Sequence, residues 1–242
     1  MEGRLYTFLG AIGGHDQLWI IMSHLILTVA IVFLVSRAAT KNLQLVPAGT
    51  QNVMETYLQG VISIGVDSMG EANARKYMPL IATLGLMIFT SNMMGVVPGF
   101  ESVTGNINFT LALAIIVFFY YNYLGFKENG AKSYLGHMMG PVPALAPLMF
   151  PIEIISHISR IVSLSFRLFG SVKGDDMFLM VLLMLVPWIA PLPGFFLLTA
   201  FGFLQAFIFM ILTYVYIAGS VMMAERSEER RVGKECRSRW SP

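Results

Sequence analysis

Five long apolar runs dominate the chain: 18–36, 78–97, 109–126, 144–188 and 195–224. Crossing a bilayer as helix takes about 20 apolar residues, because a helix rises about 1.5 Å per residue and the hydrocarbon layer is about 30 Å thick. No water is available in that layer, so the backbone must satisfy its own hydrogen bonds and each run is read as helix. The pattern predicts an all-α, polytopic membrane protein with five membrane-crossing helices. Run 144–188 exceeds one perpendicular crossing about twofold, so it must tilt strongly, bend or break. Run 195–224 is also longer than one crossing needs. Between them, 190–194 (Ala-Pro-Leu-Pro-Gly) reads as a tight, uncharged turn.

A mixed segment, 47–77, lies between the first two runs. It opens with Pro-Ala-Gly, a helix-start signal. Val53, Tyr57, Val61, Ile64 and Met69 then recur at helical spacing among Gln51, Glu55, Gln59 and Asp67. That periodicity predicts one amphipathic helix lying at the membrane surface; a loop with a short helix is the plainer alternative. Counting this segment, run 144–188 is the fifth element and the last run the sixth.

Loop charge adds a direction. Arg37, Lys41, Arg75, Lys76, Lys127, Lys132 and Arg226 all fall on one side if the chain crosses five times. The other side has Glu101 and the Pro-Leu-Pro turn, with no basic loop residue beyond Arg4. Basic loops stay cytoplasmic, so the amino terminus is expected outside and the carboxyl terminus in the cytoplasm. Residues 1–17 lack the basic start, compact apolar core and cleavage site of a signal peptide.

Composition narrows the class. Hydrophobic residues make up 56% of the chain and charged ones 12%, against about 25% charged in a typical soluble domain. Water would not tolerate so much apolar surface, whereas lipid does. A net charge of +2 and the lack of a basic patch alternating with aromatics argue against nucleic acid. The single cysteine, Cys236, excludes an internal disulfide framework and a cysteine metal cluster; no cofactor or metal is expected. Residues 226–242 have neither apolar periodicity nor a core. They read as a cytoplasmic docking tail or, preferably, as foreign sequence to be set aside from the fold, leaving 1–225 as a single membrane domain.

The fifth element carries the chemistry. Within apolar sequence it holds Glu153, His157, Arg160, Arg167, Lys173, Asp175 and Asp176. A charge at the bilayer centre costs at least about 2.5–3.5 kcal/mol on insertion scales, so such groups face a partner, a water cavity or an ion path. At about 100° per residue, Glu153, His157, Arg160, Arg167 and Ser171 fall within roughly 40° of one line. Asp176 lies about 180° round from Arg167 if the helix continues, with Lys173 and Asp175 straddling the divide. Two displaced polar regions with a permanent cation between them suit two water-filled half-channels that must not join. A guanidinium suits the barrier because it keeps its proton, whereas a desolvated lysine can lose one. Purely structural ion pairing within the bundle is the bland alternative, and Asp175 alone could cap a helix that breaks at Gly174.

These residues also carry a family. Ser163-Leu-Ser-Phe-Arg-Leu-Phe-Gly170 closely resembles the signature of subunit a of the rotary F-type ATP synthase. The stretch 204–216 (Leu-Gln-Ala-Phe-Ile-Phe-Met-Ile-Leu-Thr-Tyr-Val-Tyr) resembles that subunit's last helix, and 91–99 (Ser-Asn-Met-Met-Gly-Val-Val-Pro-Gly) the motif leading into its loop. The resemblance runs from about Leu18 to Glu225 and is to bacterial members. It implies a stator against which a ring of c subunits turns, with a b-subunit peripheral stalk and the rest of the complex as further partners. It implies the bacterial inner membrane as the setting, and a steeply tilted hairpin formed by the last two helices. Arg167 matches the essential arginine that meets the ring's carboxylate. Glu153 matches an acidic residue of the cytoplasmic half-channel. Asp176 falls where the outer half-channel usually has Glu or His, and Gln205 matches the glutamine facing the arginine. Asn92 belongs to the loop motif. Three departures stand out: Ser171 where Asn is common, Lys173 near Asp176, and Leu198 where many members have His or an acidic group.

Other functions fit less well. A secondary ion-coupled transporter would show paired, interrupted spans in two halves, and no internal repeat is visible. The Gly-x-Ser-x-Gly of a serine-type intramembrane protease and the His-Glu-x-x-His of a zinc type are both absent. No second spanning helix offers an Asp to match Gly174-Asp175 as an aspartyl type. A purely structural subunit would leave the polar stripe unexplained. The sequence therefore predicts a proton-conducting, non-catalytic subunit.

Overall fold

A computed structural model describes residues 7, 8, 10, 16–41, 43–46, 49–130, 146–185 and 191–221. Six helices follow one another: α1 Gln17–Thr40, α2 Thr50–Met69, α3 Glu71–Val96, α4 Ile107–Asn129, α5 Ala146–Leu185 and α6 Pro191–Val221. A single 3-10 turn, Val103–Gly105, precedes α4. The described residues form an all-α, polytopic fold. α1, α3, α4 and α6 are long and apolar enough to cross a membrane. α5 has the length, at 40 residues, but its apolar sequence is interrupted by the ionisable residues that carry the chemistry.

α1 is apolar on every side and leaves Ile26, Phe33 and Leu34 more than half exposed. A helix apolar all round belongs in lipid or in a core. Arg37 occupies its last turn, where a cation complements the helix dipole. Gln51, buried at the start of α2, fastens the connection from α1. Its Oε1 accepts from the Gln44 N–H at 3.0 Å, and its Nε2 donates to the Gln44 carbonyl at 2.9 Å and to Glu55 Oε1 at 2.7 Å.

The mixed segment expected to run from 47 to 77 divides at Gly70. That residue adopts φ 77°, ψ 163°, a region essentially restricted to glycine. The chain reverses there, so the second membrane helix begins at Glu71 rather than 78. α2 runs back along α3: Tyr57 Oη donates to the Ala82 carbonyl at 2.7 Å, and Gly65 lies against Ala74 and Tyr214. The plain-loop alternative for this segment is thereby excluded. α2 buries Val61, Gly65 and Met69 and packs on α1, α3 and α6.

α3 and α4 are antiparallel. Lys76 Nζ lies 2.5 Å from Glu128 Oε1 where α3 starts and α4 ends, and residues 97–106 join their other ends. The bundle therefore has a basic end, with Arg75, Lys76 and Lys127, and a loop end, with Pro98 and Glu101. The side chain of Asn106 caps α4 by accepting from the Asn108 N–H at 2.9 Å.

α5 is one unbroken helix, about 60 Å long at about 1.5 Å per residue. It continues through Gly170 and Gly174, so Asp175 caps nothing. It descends antiparallel to α4: His157 meets Tyr121 near the basic end, and Ser165 meets Thr110 at 3.1 Å further along. α6 returns beside α3, α4 and α5. The turn expected at 190–194 is displaced, since α6 already starts at Pro191. Prolines 191 and 193 sit in the first turn, where the missing N–H groups would have had no helical partner. Residues 186–190, the loop holding Lys132, and residues 222–242 lie outside the described residues. The core is formed where α3, α4, α5 and α6 meet, around Ile88, Val117, Leu168, Phe209 and Ile217.

Candidate proton path: two polar clusters and an exposed arginine

The polar stripe of α5 follows a seam. On this helix Leu164, Ser165, Leu168 and Val172 are buried, while Phe166 and Val162 are exposed. The line through Glu153, His157, Arg160, Arg167 and Ser171 runs along the edge of the buried face. Small angular differences then decide each residue's environment: His157 is buried, Glu153, Arg160 and Ser171 are intermediate, and Arg167 is exposed.

At the basic end, His157 is 7% exposed. Its Nδ1 lies 2.8 Å from Tyr121 Oη, and its Nε2 lies 3.6 Å from Glu153 Oε1 on the next turn. Tyr121 stacks on the imidazole with an interplanar angle of 16°, and Phe118 meets it edge-on. Arg160 does not join this contact; its guanidinium lies 5.5 Å from the centre of the Tyr216 ring. A cation over an aromatic face is stabilised without a carboxylate partner.

At the loop end, a small cavity of about 30 Å³ is lined by Asn92, Ser102, Ser171, Asp175, Asp176 and Gln205, among others. Such a polar space has room for a water or two. Leu198 also lines it, so the departure from the family pattern noted at that position lies directly on the cavity wall. Beside the cavity runs a buried chain of hydrogen bonds. Thr104 Oγ1 donates to Asn92 Oδ1 at 2.6 Å, and Asn92 Nδ2 donates to the Gly202 carbonyl at 3.2 Å. Each hydroxyl has one proton, so Ser102 donates to Thr104 at 2.5 Å and Ser91 to Ser102 at 3.4 Å. Asn92 thereby ties α3 to α6 and to the 3-10 turn. Gly202 lets that approach happen, since a Cβ there would come 3.2 Å from Asn92 Cβ. Lys173 stands outside the cavity, with Nζ 3.6 Å from Asp176 Oδ2 and 3.9 Å from Glu101 Oε1. Lys173 thus pairs with Asp176 three residues on along α5, and Glu101 is a further partner.

Arg167 lies between the clusters, about 15 Å beyond His157 and about 12 Å short of Asp175 along the axis. It makes no ion pair or hydrogen bond among the described residues and projects from the bundle. Because α5 continues as one helix, positions 167 and 176 lie about 180° apart around it; Asp176 lines the cavity with Asn92 of α3 and Gln205 of α6, and Arg167 is exposed. Gln205 is buried in the cavity wall on the Asp176 side, and no hydrogen bond joins it to Arg167 among the described residues. No group of three His, Cys, Asp or Glu among the described residues is placed to hold a metal ion.

Sequence reasoning missed Tyr121, Ser91, Ser102 and Thr104. The hydroxyls lie in and beside a short loop without periodicity, and Tyr121 is hidden in the aromatic run 118–121, which reads as packing. Only the pairing of α4 with α5 reveals its partner.

Comparison with known proteins shows the family. The ATP synthase A chain family matches residues 18–218. A protein named ATP synthase subunit a from Aliarcobacter butzleri (strain RM4018) is 74% identical over 223 residues, covering 92% of this chain and 98% of the relative. Its namesake from a Nitratiruptor species is 60% identical over 227 residues, covering 94% and 100%. Another from Campylobacter curvus (strain 525.92) is 60% identical over 212 residues, covering 87% and 94%. By the extent of this match across α1 to α6, the chain belongs to the ATP synthase A chain family.

Proposed function

We propose that this chain is the proton-conducting stator subunit in the membrane sector of an F-type ATP synthase. The basic end faces the cytoplasm and the loop end faces outward. Protons enter at the loop end, through the cavity that Asn92, Ser171, Asp175, Asp176 and Gln205 line, with Lys173 and Glu101 at its margin. They leave at the basic end, past His157 and Glu153. The two regions are joined only by a rotor: a ring of c subunits passes across the exposed face of α5 and carries each proton from one to the other. The b-subunit stalk and the surrounding lipid hold the chain still while the ring turns. The subunit itself catalyses no bond-making step.

Arg167 carries this reading. A permanent cation projecting unpaired from a membrane helix is costly unless a partner carboxylate approaches it. It stands between the polar clusters and keeps its proton, so it bars direct passage between them while it attracts an ionised rotor carboxylate. Arg167→Ala, made in the complete complex and reconstituted in vesicles, should assemble normally yet lose proton-driven ATP synthesis. Full synthesis by that variant would remove Arg167 from the mechanism and the stator reading with it. Residues 226–242 have no part in this function; the family match ends at residue 218, which supports reading them as foreign sequence.

A further inference from the structure

Tyr121 lies on α4, one helix away from the polar stripe, and is 2% exposed. Its hydroxyl is 2.8 Å from Nδ1 of His157, whose other ring nitrogen is 3.6 Å from the Glu153 carboxylate. The imidazole is thus held between a neutral hydroxyl on one side and an ionisable group on the other. Resting on the stator reading above, we propose that Tyr121 is a positioning residue for proton release: it keeps His157 Nε2 turned toward Glu153 whether the imidazole is neutral or charged.

The argument lies in what a phenol can do. A hydroxyl donates to the lone pair of a neutral Nδ1, and by rotating it accepts from the N–H of a charged one. The ring then need not move when it gains or loses a proton. With Nδ1 satisfied by donation, the neutral ring carries its proton on Nε2, the atom nearest Glu153. Phe118, edge-on to the imidazole, and the stacked Tyr121 ring block rotation. Glu153 retains 35% of its side-chain exposure, so it offers the next step toward water. Among the described residues, the titratable and charged groups around His157 are Glu153 and Arg160 on its own helix, Tyr121 on α4 and, behind Tyr121, Tyr216 on α6. A histidine serving only to fasten α4 to α5 would gain nothing from a carboxylate beside its second nitrogen.

The test uses the complete complex carrying Tyr121→Phe, reconstituted in vesicles and stripped of its soluble head. Passive proton flux is measured against the pH on the side of the basic end. A hydrogen bond to a charged group is worth more than one to a neutral group, so losing the phenol penalises the charged imidazole more. The flux profile should move to lower pH, and flux at neutral pH should fall on the order of tenfold. Should the variant assemble poorly, 3-fluorotyrosine at position 121 keeps the shape while weakening the hydroxyl as an acceptor, and should move the profile in the same direction. An unmoved profile overturns the proposal, even if flux falls, because a merely structural contact would lower flux without moving it. Failure of the stator reading looks different: an intact complex whose Arg167→Ala variant still couples.

Discussion

On the proposed reading, Asp176 is the residue on which the outer path would most depend in this chain, since it lines the cavity at the loop end. Leu198 lines the cavity and brings no ionisable group to it; the ionisable groups on its wall are Asp175 and Asp176, beside the amide and hydroxyl groups of Gln205, Asn92 and Ser171. Asp176→Asn keeps the shape and removes the exchangeable charge. It should slow proton flux through membranes stripped of the soluble head by about 100-fold, the lower end of the typical worth of a positioned proton-transfer group. Unchanged flux would mean that protons enter elsewhere. The Lys173 pairs with Asp176 and Glu101 are both partly exposed, and pairs of that kind contribute little to stability. Their interest is electrical, since they set a cation beside the mouth of the cavity.

At the scale of elements, the hairpin of α2 and α3 depends on one residue. The backbone of Gly70 occupies a region that a Cβ makes costly, and its N–H donates to the Val66 carbonyl at 3.0 Å to close α2. Nothing lies within 4 Å of where a Cβ would stand, so the cost of Gly70→Ala is conformational rather than steric. It should be about 1–3 kcal/mol, read as a lower melting temperature of the detergent-solubilised complex; an unchanged melting temperature would show that the turn tolerates another backbone shape. Amphipathic periodicity identifies α2 as helix, yet it carries on smoothly into α3 and conceals the boundary. A lone glycine in a helical pattern is usually tolerated, and only its dihedral angles mark it as a reversal. The Pro-Leu-Pro turn is displaced for a related reason, because prolines open a helix as readily as they interrupt one.

The whole molecule has two chemically different ends, and loop charge predicts which side of the membrane each faces. In a Cys236→Ser background, Glu101→Cys should react with a membrane-impermeant thiol reagent added outside intact cells. Lys127→Cys should react only when the reagent reaches the cytoplasmic face. The reverse result would invert the bundle and exchange the entrance and exit of the proton path. The outward-facing apolar residues of α1 and the exposed flank of α5, including Phe166 and Val162, leave a large surface for lipid and neighbouring subunits. Arg167 sits on the α5 part of that surface, where the proposed rotor could reach it.

Much of this was legible in the chain itself. Five of the six helices follow from the lengths of the apolar runs, because a bilayer admits few backbone solutions, and α2 follows from amphipathic periodicity. The candidate ionisable residues of α5 stand out in the sequence as charges that lipid would otherwise reject. Periodicity alone also gave the opposed directions of Arg167 and Asp176, since one unbroken helix fixes the angle between them. Tertiary packing decided which side of α5 is inside. The stripe lies on the edge of the buried face, so a modest rotation separates a buried His157 from an exposed Arg167, and no local pattern encodes that rotation. Packing also selected Tyr121 from four consecutive aromatics and gathered the Ser91, Ser102, Thr104 and Asn92 chain from α3 and the loop that follows it. Those contacts depend on how whole helices meet, which is set by side-chain fit over many residues and by glycines that let backbones approach.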